Sequence, residues 1–175
     1  MVTNGIAQEG YDTVTAFLFS LGFFSEIFMI ILTIALLHKQ SIDLIFYLLF
    51  LWINGHFNRW LKDFIQQRRP PNPIKFLASE HFSKKKVAFG MPSGHSQSVF
   101  FSITYLFLFF HSINVWIYLA LIIAVLMLFE RWYFHNHTLS QLGVGAAVGA
   151  LAAYVAYEIK SYLLPYSSSL ILGAK

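Results

Sequence analysis

Five long apolar runs, at residues 14–37, 41–61, 96–110, 115–129 and 142–157, are separated by short polar breaks along the chain. Several approach the roughly 20 residues that a helix needs to cross the hydrocarbon core of a bilayer. The pattern predicts an all-α polytopic membrane bundle of about five transmembrane helices, with a sixth possible. Only His38 to Ser41 separates the first two runs, a link that allows nothing longer than a tight hairpin and so makes these helices antiparallel. The break from Pro70 to Pro92 is of another kind. Pro70, Pro71 and Pro73 each push the preceding residue out of helical angles, which ends the second helix near Arg69. Within this break Ile74, Phe76, Leu77, Phe82, Val87 and Phe89 interleave with Lys75 and the run Lys84 to Lys86, a mixture suited equally to the headgroup interface and to a solvated loop. A third helix is predicted to start around Ser93 to Ser96 and to run to Phe110, a fourth to end near Phe134, and a fifth to follow directly. In the fifth, Gly145, Gly149 and Ala153 recur at four-residue spacing and form a flat stripe for the close approach of another helix.

Composition sharpens this picture. Of the 175 residues 57% are hydrophobic and 11% charged, against about 25% charged in a soluble domain, which excludes an ordinary water-soluble enzyme. The chain reads as one membrane-embedded domain, 1–175, whose partner is the lipid bilayer and not a nucleic acid. Trp52, Trp60, Trp116 and Trp132 fall near predicted helix ends, as interfacial indoles do. The absence of cysteine excludes disulfides, thiolate metal sites and cysteine nucleophiles. The opening MVTNGIAQEGYD carries no basic residue, so no cleaved signal peptide is expected. Alternating helix directions place the C-terminal ends of the second and fourth helices and the N-terminal ends of the third and fifth on one face. Arg59, Lys62, Arg68, Arg69, Lys75, Lys84, Lys85, Lys86 and Arg131 cluster there, leaving Lys39, Lys160 and Lys175 for the other face.

On the basic face, Lys62 and Arg69 are seven residues apart, two turns along one side of the second helix if it continues to the proline. Both cations then reach one anion, although a belt of snorkelling cations at a helix end accounts for them equally. Pro92, Ser93, Gly94 and His95 lead into the third helix, where backbone donors and the Ser93 hydroxyl suit an oxyanion at a helix N-terminus. A simple cap explains the first three of these residues. It does not explain His95, a group able to give a proton to a departing oxygen. In the last hairpin, ERWYFHNHTLSQ, Arg131 offers a planar fork for phosphate oxygens. His137 is a candidate nucleophile or base if its other ring nitrogen is held, and the side-chain carbonyl of Gln141, at i+4, is placed to hold it. His135 is the competitor, but its i+4 residue is Leu139, which orients nothing.

These residues carry a resemblance: Lys62, six residues, Arg69-Pro70; Pro92-Ser93-Gly94-His95; and Arg131, five residues, His137. In order, internal spacing and position at helix ends they resemble the three-part signature of the type-2 phosphatidic acid phosphatase superfamily, over a core of about residues 60–149. The resemblance implies hydrolysis of a lipid phosphomonoester or diphosphate without a metal or other cofactor. In it the residue matching His137 attacks phosphorus to form a phosphohistidine, and His95 protonates the leaving group. Lys62, Arg69, Ser93, the Gly94 amide and Arg131 surround the equatorial oxygens. Similarity to small bacterial members implies a lipid A 1-phosphate or undecaprenyl diphosphate substrate first, then phosphatidylglycerol phosphate or phosphatidate. It also implies a multi-pass protein of the bacterial inner membrane with its site facing the periplasm or outside. The excess of basic residues on the site face points the opposite way.

Two positions depart from the family pattern. Glu130 stands where serine is usual and is expected to point away from the phosphate or to pair with a cation other than Arg131. Gln141 stands where aspartate is usual, and a neutral amide accepts the imidazole hydrogen bond without compensating its positive form. This substitution supports one alternative, a catalytically silent protein that binds or transports lipid phosphates. A second alternative is a haem protein using histidines among His56, His95, His111, His135 and His137 as axial ligands, which leaves the convergent cations without a purpose.

Overall fold

The computed structural model describes residues 13–71, 74 and 89–164. The interleaved apolar and basic stretch around Lys84 to Lys86 lies outside the described residues. Six helices follow in order: α1 Thr13–Phe23, α2 Ser25–Leu37, α3 Ser41–Ile65, α4 Gly94–Phe110, α5 Val115–Tyr133 and α6 Leu139–Leu163. The all-α bundle read from the sequence is present, with its first run divided in two. α1 and α2 meet at 66°, although hydrogen bonds from Phe24 N to Ser20 O and from Phe28 N to Phe24 O still bridge the corner. No proline marks this bend, which comes from packing. A Cβ on Gly22 would lie 2.7 Å from Leu126 O and 2.8 Å from Glu130 Cβ, so the glycine lets α1 lie directly on α5.

By length and composition, α5 and α6 are each sufficient to cross a membrane, and the bent α1–α2 pair is a third candidate if it forms one span. At 17 residues α4 is short, and the second half of α3 carries Asn54, His56, Asn58, Arg59 and Lys62. Trp52 sits half-way along α3, not near its end, whereas Trp116 and Trp132 flank α5. An exposed aromatic ladder of Phe57, Trp60 and Phe64 covers the outer side of α3.

α4 runs through the middle of the bundle, burying Val99, Phe101, Tyr105 and Leu106 completely. The glycine stripe of α6 lies against it. A Cβ on Gly149 would overlap Gln97 O, and one on Gly145 would fall 2.6 Å from Ser93 O. Gly149→Val therefore forces the two helices apart, with an expected loss of about 3 kcal/mol and a collapse in the yield of monodisperse detergent-solubilised protein. Gly143→Ala is the control, because nothing lies within 4 Å of the position its methyl group would take; thermal unfolding of the two variants checks the contrast.

The opposite face of α4 meets α3 through polar residues one turn apart, Asn54, Asn58 and Lys62, all buried. Asn58 Nδ2 donates to Gln97 Oε1 at 2.7 Å and to Pro92 O at 3.3 Å, while Gln97 Nε2 donates to Asn54 Oδ1 at 2.7 Å. Buried amides in an apolar bundle are costly unless paired. Here they fix the register of α3 against α4 and so the height at which Lys62 meets the first turn of α4.

Candidate active site

Lys62 occupies the last turn of α3 with only 8% of its surface exposed. The helix does not reach the proline as the sequence suggested. Gln66 turns left-handed at φ 53°, its amide donates back to Lys62 O, and α3 ends at Ile65. The chain then runs extended, with Arg68 bridged to Phe89 and Gly90 N donating to Gln67 O at 2.7 Å. Arg69 thus lies beyond the helix and does not share a helical face with Lys62. It reaches the site from this loop, where its guanidinium donates to Asn136 O at 3.4 Å.

Ser93 caps α4 in an extended conformation, its hydroxyl accepting from Ser96 N. Its own amide donates to Gln141 O at 3.0 Å, so of the backbone donors read from the sequence the Ser93 amide is already engaged. Gly94 and His95 begin the helix, where amides lack intrahelical acceptors. A Cβ on Gly94 would stand 3.7 Å from Lys62 Nζ, which puts this helix start directly beside the ammonium group.

Arg131, 7% exposed, lies in the last turn of α5. Its Nη2 donates to Phe23 O at 3.3 Å and its guanidinium lies 5.1 Å from the Phe23 ring centre. Among the described residues Glu130 does not pair elsewhere. Its Oε2 lies 2.9 Å from Arg131 Nε, in a geometry that leaves Arg131 Nε and both carboxylate oxygens without a hydrogen bond. Adjacent residues on a helix diverge, so the pair is held by proximity and burial, with Glu130 1% exposed.

The hairpin after α5 closes on Arg131 itself, whose carbonyl accepts from Asn136 N at 3.0 Å and His137 N at 3.2 Å. His135, at φ 53°, turns outward and is exposed, while His137 turns inward and is 3% exposed. Thr138 caps α6 in a capping box with Gln141. The Gln141 amide is used at both ends. Nε2 donates to Arg68 O at 2.8 Å and to Gln67 Oε1 at 3.1 Å, while Oε1 faces His137 Nδ1 at 3.2 Å and Thr138 N at 3.2 Å. Because Arg68 O can only accept, the amide orientation follows, and Oε1 must accept a proton carried on His137 Nδ1. The lone pair of His137 is therefore on Nε2.

Burial lowers the His137 pKa most, and the charges of Arg69, Arg131 and Lys62 add to this, outweighing the opposing hydrogen bond that His137 donates to Gln141; the value falls to about 3. At neutral pH His137 is a neutral imidazole among three cations. His95 lies in the same field, its ring affected by Arg131, His137, Lys62 and Arg69. The eight residues singled out in the sequence thus sit together at one end of the bundle. Among the described residues the other histidines do not join them: His56 bonds Trp52 O on the outer side of α3, and His111 meets Tyr157 at the far end of α4. Sequence reading missed Glu26, Asn58, Gln67, Gly90 and Gln97. The polar residues inside apolar runs, Asn58 and Gln97, were a usable signal; Gln67 and Gly90 offered none.

This α-helical membrane bundle gathers three cations, a helix N-terminus and two imidazoles at one end, a grouping chemically able to receive an oxyanion. The PAP2 superfamily matches residues 43–165, more than half of the chain, and the protein belongs to that family. It is 31% identical over 116 residues to the dolichyldiphosphatase of Saccharomyces cerevisiae, covering 61% of this chain and 47% of that protein. It is 29% identical over 141 residues to lipid phosphate phosphatase gamma of Arabidopsis thaliana, covering 74% of this chain and 59% of that protein. The chain thus spans about half the length of these curated relatives. No solved structure gives a significant match.

Proposed function

We propose that the protein is an integral membrane phosphatase that removes phosphate from a lipid phosphomonoester or diphosphate through a phosphohistidine on His137. The observation that carries this reading is a buried imidazole held at Nδ1 by Gln141 and surrounded by Lys62, Arg69 and Arg131. Three cations oppose a positive histidine but suit a neutral one that attacks an anion they bind. Nε2 forms a bond to phosphorus as the bond to the leaving oxygen breaks, and His95 gives its proton to that oxygen. Lys62, Arg69, Arg131, Ser93 and the Gly94 amide neutralise the equatorial oxygens as charge spreads over them. Neutral His95 then takes a proton from water, which attacks phosphorus and releases phosphate from Nε2. Every step uses side chains already in place, so the reading requires no metal.

The lipid tail remains in the bilayer while the headgroup enters between the helix ends. Similarity to a dolichyldiphosphatase favours a polyisoprenyl diphosphate such as undecaprenyl diphosphate over lipid A 1-phosphate, with phosphatidylglycerol phosphate and phosphatidate next. In a bacterial cytoplasmic membrane the site end faces outward. The second reading, a silent lipid-phosphate binder, draws on Gln141, which brings no negative charge to His137. Phosphate release by detergent-purified protein, with chelator present and across these four lipids, decides between them. We expect release, fastest from the isoprenyl diphosphate; binding without release from any lipid establishes the silent binder instead.

A further inference from the structure

Glu26 stands alone as a charge in α2, SEIFMIILTIALL, and an isolated carboxylate in an apolar helix requires a reason. The bend between α1 and α2 sets its position. At that corner Phe23 O receives Arg131 and the next helix begins with buried Ser25, so the first turn of α2 lies against the site. There Glu26 Oε2 is 3.8 Å from His95 Nε2, and both side chains retain 35% exposure. The charge of Glu26 also reaches Lys62 and Arg131. The family match starts at residue 43, so neither the matched region nor the signature includes this residue.

We propose that Glu26 is the positioning carboxylate of His95: it orients the ring and supplies the negative charge against which His95 holds the proton it gives to the leaving oxygen. The proposal rests on the phosphatase reading above. His95 has a difficult task where it stands. Arg131 from α5, Lys62 from α3 and Arg69 from the loop after it surround it with positive charge, and His137 of the last hairpin faces it as well. Glu130 of α5 is committed to Arg131. Glu26 is the carboxylate on the His95 side. His95 loses its proton to the departing oxygen in the first half of the cycle and regains one from the attacking water in the second, so no further proton donor is needed.

The test compares substrates that differ in their need for an acid. Phosphatidate expels an alkoxide and depends on proton donation, whereas p-nitrophenyl phosphate expels a stable phenolate and does not. With Glu26→Gln in the full chain we expect kcat on phosphatidate to fall about tenfold or more, with KM unchanged. On p-nitrophenyl phosphate kcat should change less than about threefold, and Glu26→Asp should restore part of the phosphatidate rate. Histidine titration followed by NMR provides a readout independent of turnover: loss of a neighbouring carboxylate should lower the His95 midpoint by about one pH unit. Equal losses on both substrates, or an unmoved His95 midpoint, overturn the proposal and leave Glu26 a structural residue. Lack of turnover in the unsubstituted protein overturns the phosphatase reading instead, and the titration still decides the Glu26–His95 coupling.

Discussion

His137→Ala abolishes phosphate release, with an expected loss on the order of 10⁴-fold or more, while the protein still inserts and remains monodisperse. The side chain lies at the end of a turn, and the hairpin is built by backbone bonds to Arg131 O and by the Thr138 cap; removing the imidazole leaves those intact. His135→Ala, by contrast, should keep turnover within about threefold, since an exposed ring outside the site contributes nothing to the transition state. The two variants separate a nucleophile from a general effect of shortening a hairpin side chain. Acid quench during turnover followed by mass spectrometry should find phosphate on the His137 peptide of the unsubstituted protein and none in the alanine variant. Retained turnover in His137→Ala rejects the phosphohistidine on this residue. A pH profile adds a sign. With the His137 pKa near 3, the nucleophile stays unprotonated as pH falls, so its own loss on the acid side begins only around pH 4 and is half complete near pH 3.

What the sequence revealed depended on how local each relation was. Arg131, His137 and Gln141 lie within a single hairpin, where spacing translates directly into geometry, and the Nδ1 contact predicted from i+4 spacing is present at 3.2 Å. The Gly145 and Gly149 stripe could be read in the same way, because helical periodicity alone places both on one face. Arg69 was harder. Whether α3 reached it depended on Gln66 going left-handed and on Gln67 pairing with Gly90, a partner beyond the proline-rich break. The corner at Phe24 was invisible for a similar reason: it comes from Gly22 packing on α5, and the local sequence has no proline to mark it. Glu26 was hidden behind that corner, since a straight helix would not have identified which end of the bundle it serves. Glu130 was misplaced because nothing in the residues around it shows that carboxylate and arginine are buried together at the end of α5.

Gln141→Asp is expected to lower turnover by about ten- to a hundredfold, even though aspartate is the residue the family pattern usually places there. If Gln141 merely substitutes for an orienting carboxylate, the change should raise turnover or leave it intact, because a carboxylate compensates the imidazolium that a neutral amide does not. The surroundings of Gln141 reverse that expectation. Aspartate is shorter by one methylene and has no donor, so it gives up the bonds to Arg68 O and Gln67 Oε1 and points acceptor oxygen at acceptor oxygen. An unmade hydrogen bond at a buried polar group costs about 1–3 kcal/mol, and less at these part-buried acceptors. The loop is shaped for the longer side chain as well: a Cβ on Gly90 would lie 2.6 Å from Gln141 Oε1 and 2.8 Å from Nε2, so the backbone passes closely over the amide. This same loop carries Arg69, and releasing it moves a phosphate-binding cation along with the nucleophile's support. The variant should therefore show a higher KM as well as a lower kcat, together with a His137 pKa raised from about 3 by the new negative charge. Turnover equal to or above that of the unsubstituted protein rejects this account and shows that Gln141 only substitutes for a carboxylate. A loss confined to kcat with KM unchanged restricts the role of Gln141 to holding His137 and separates it from the placement of Arg69.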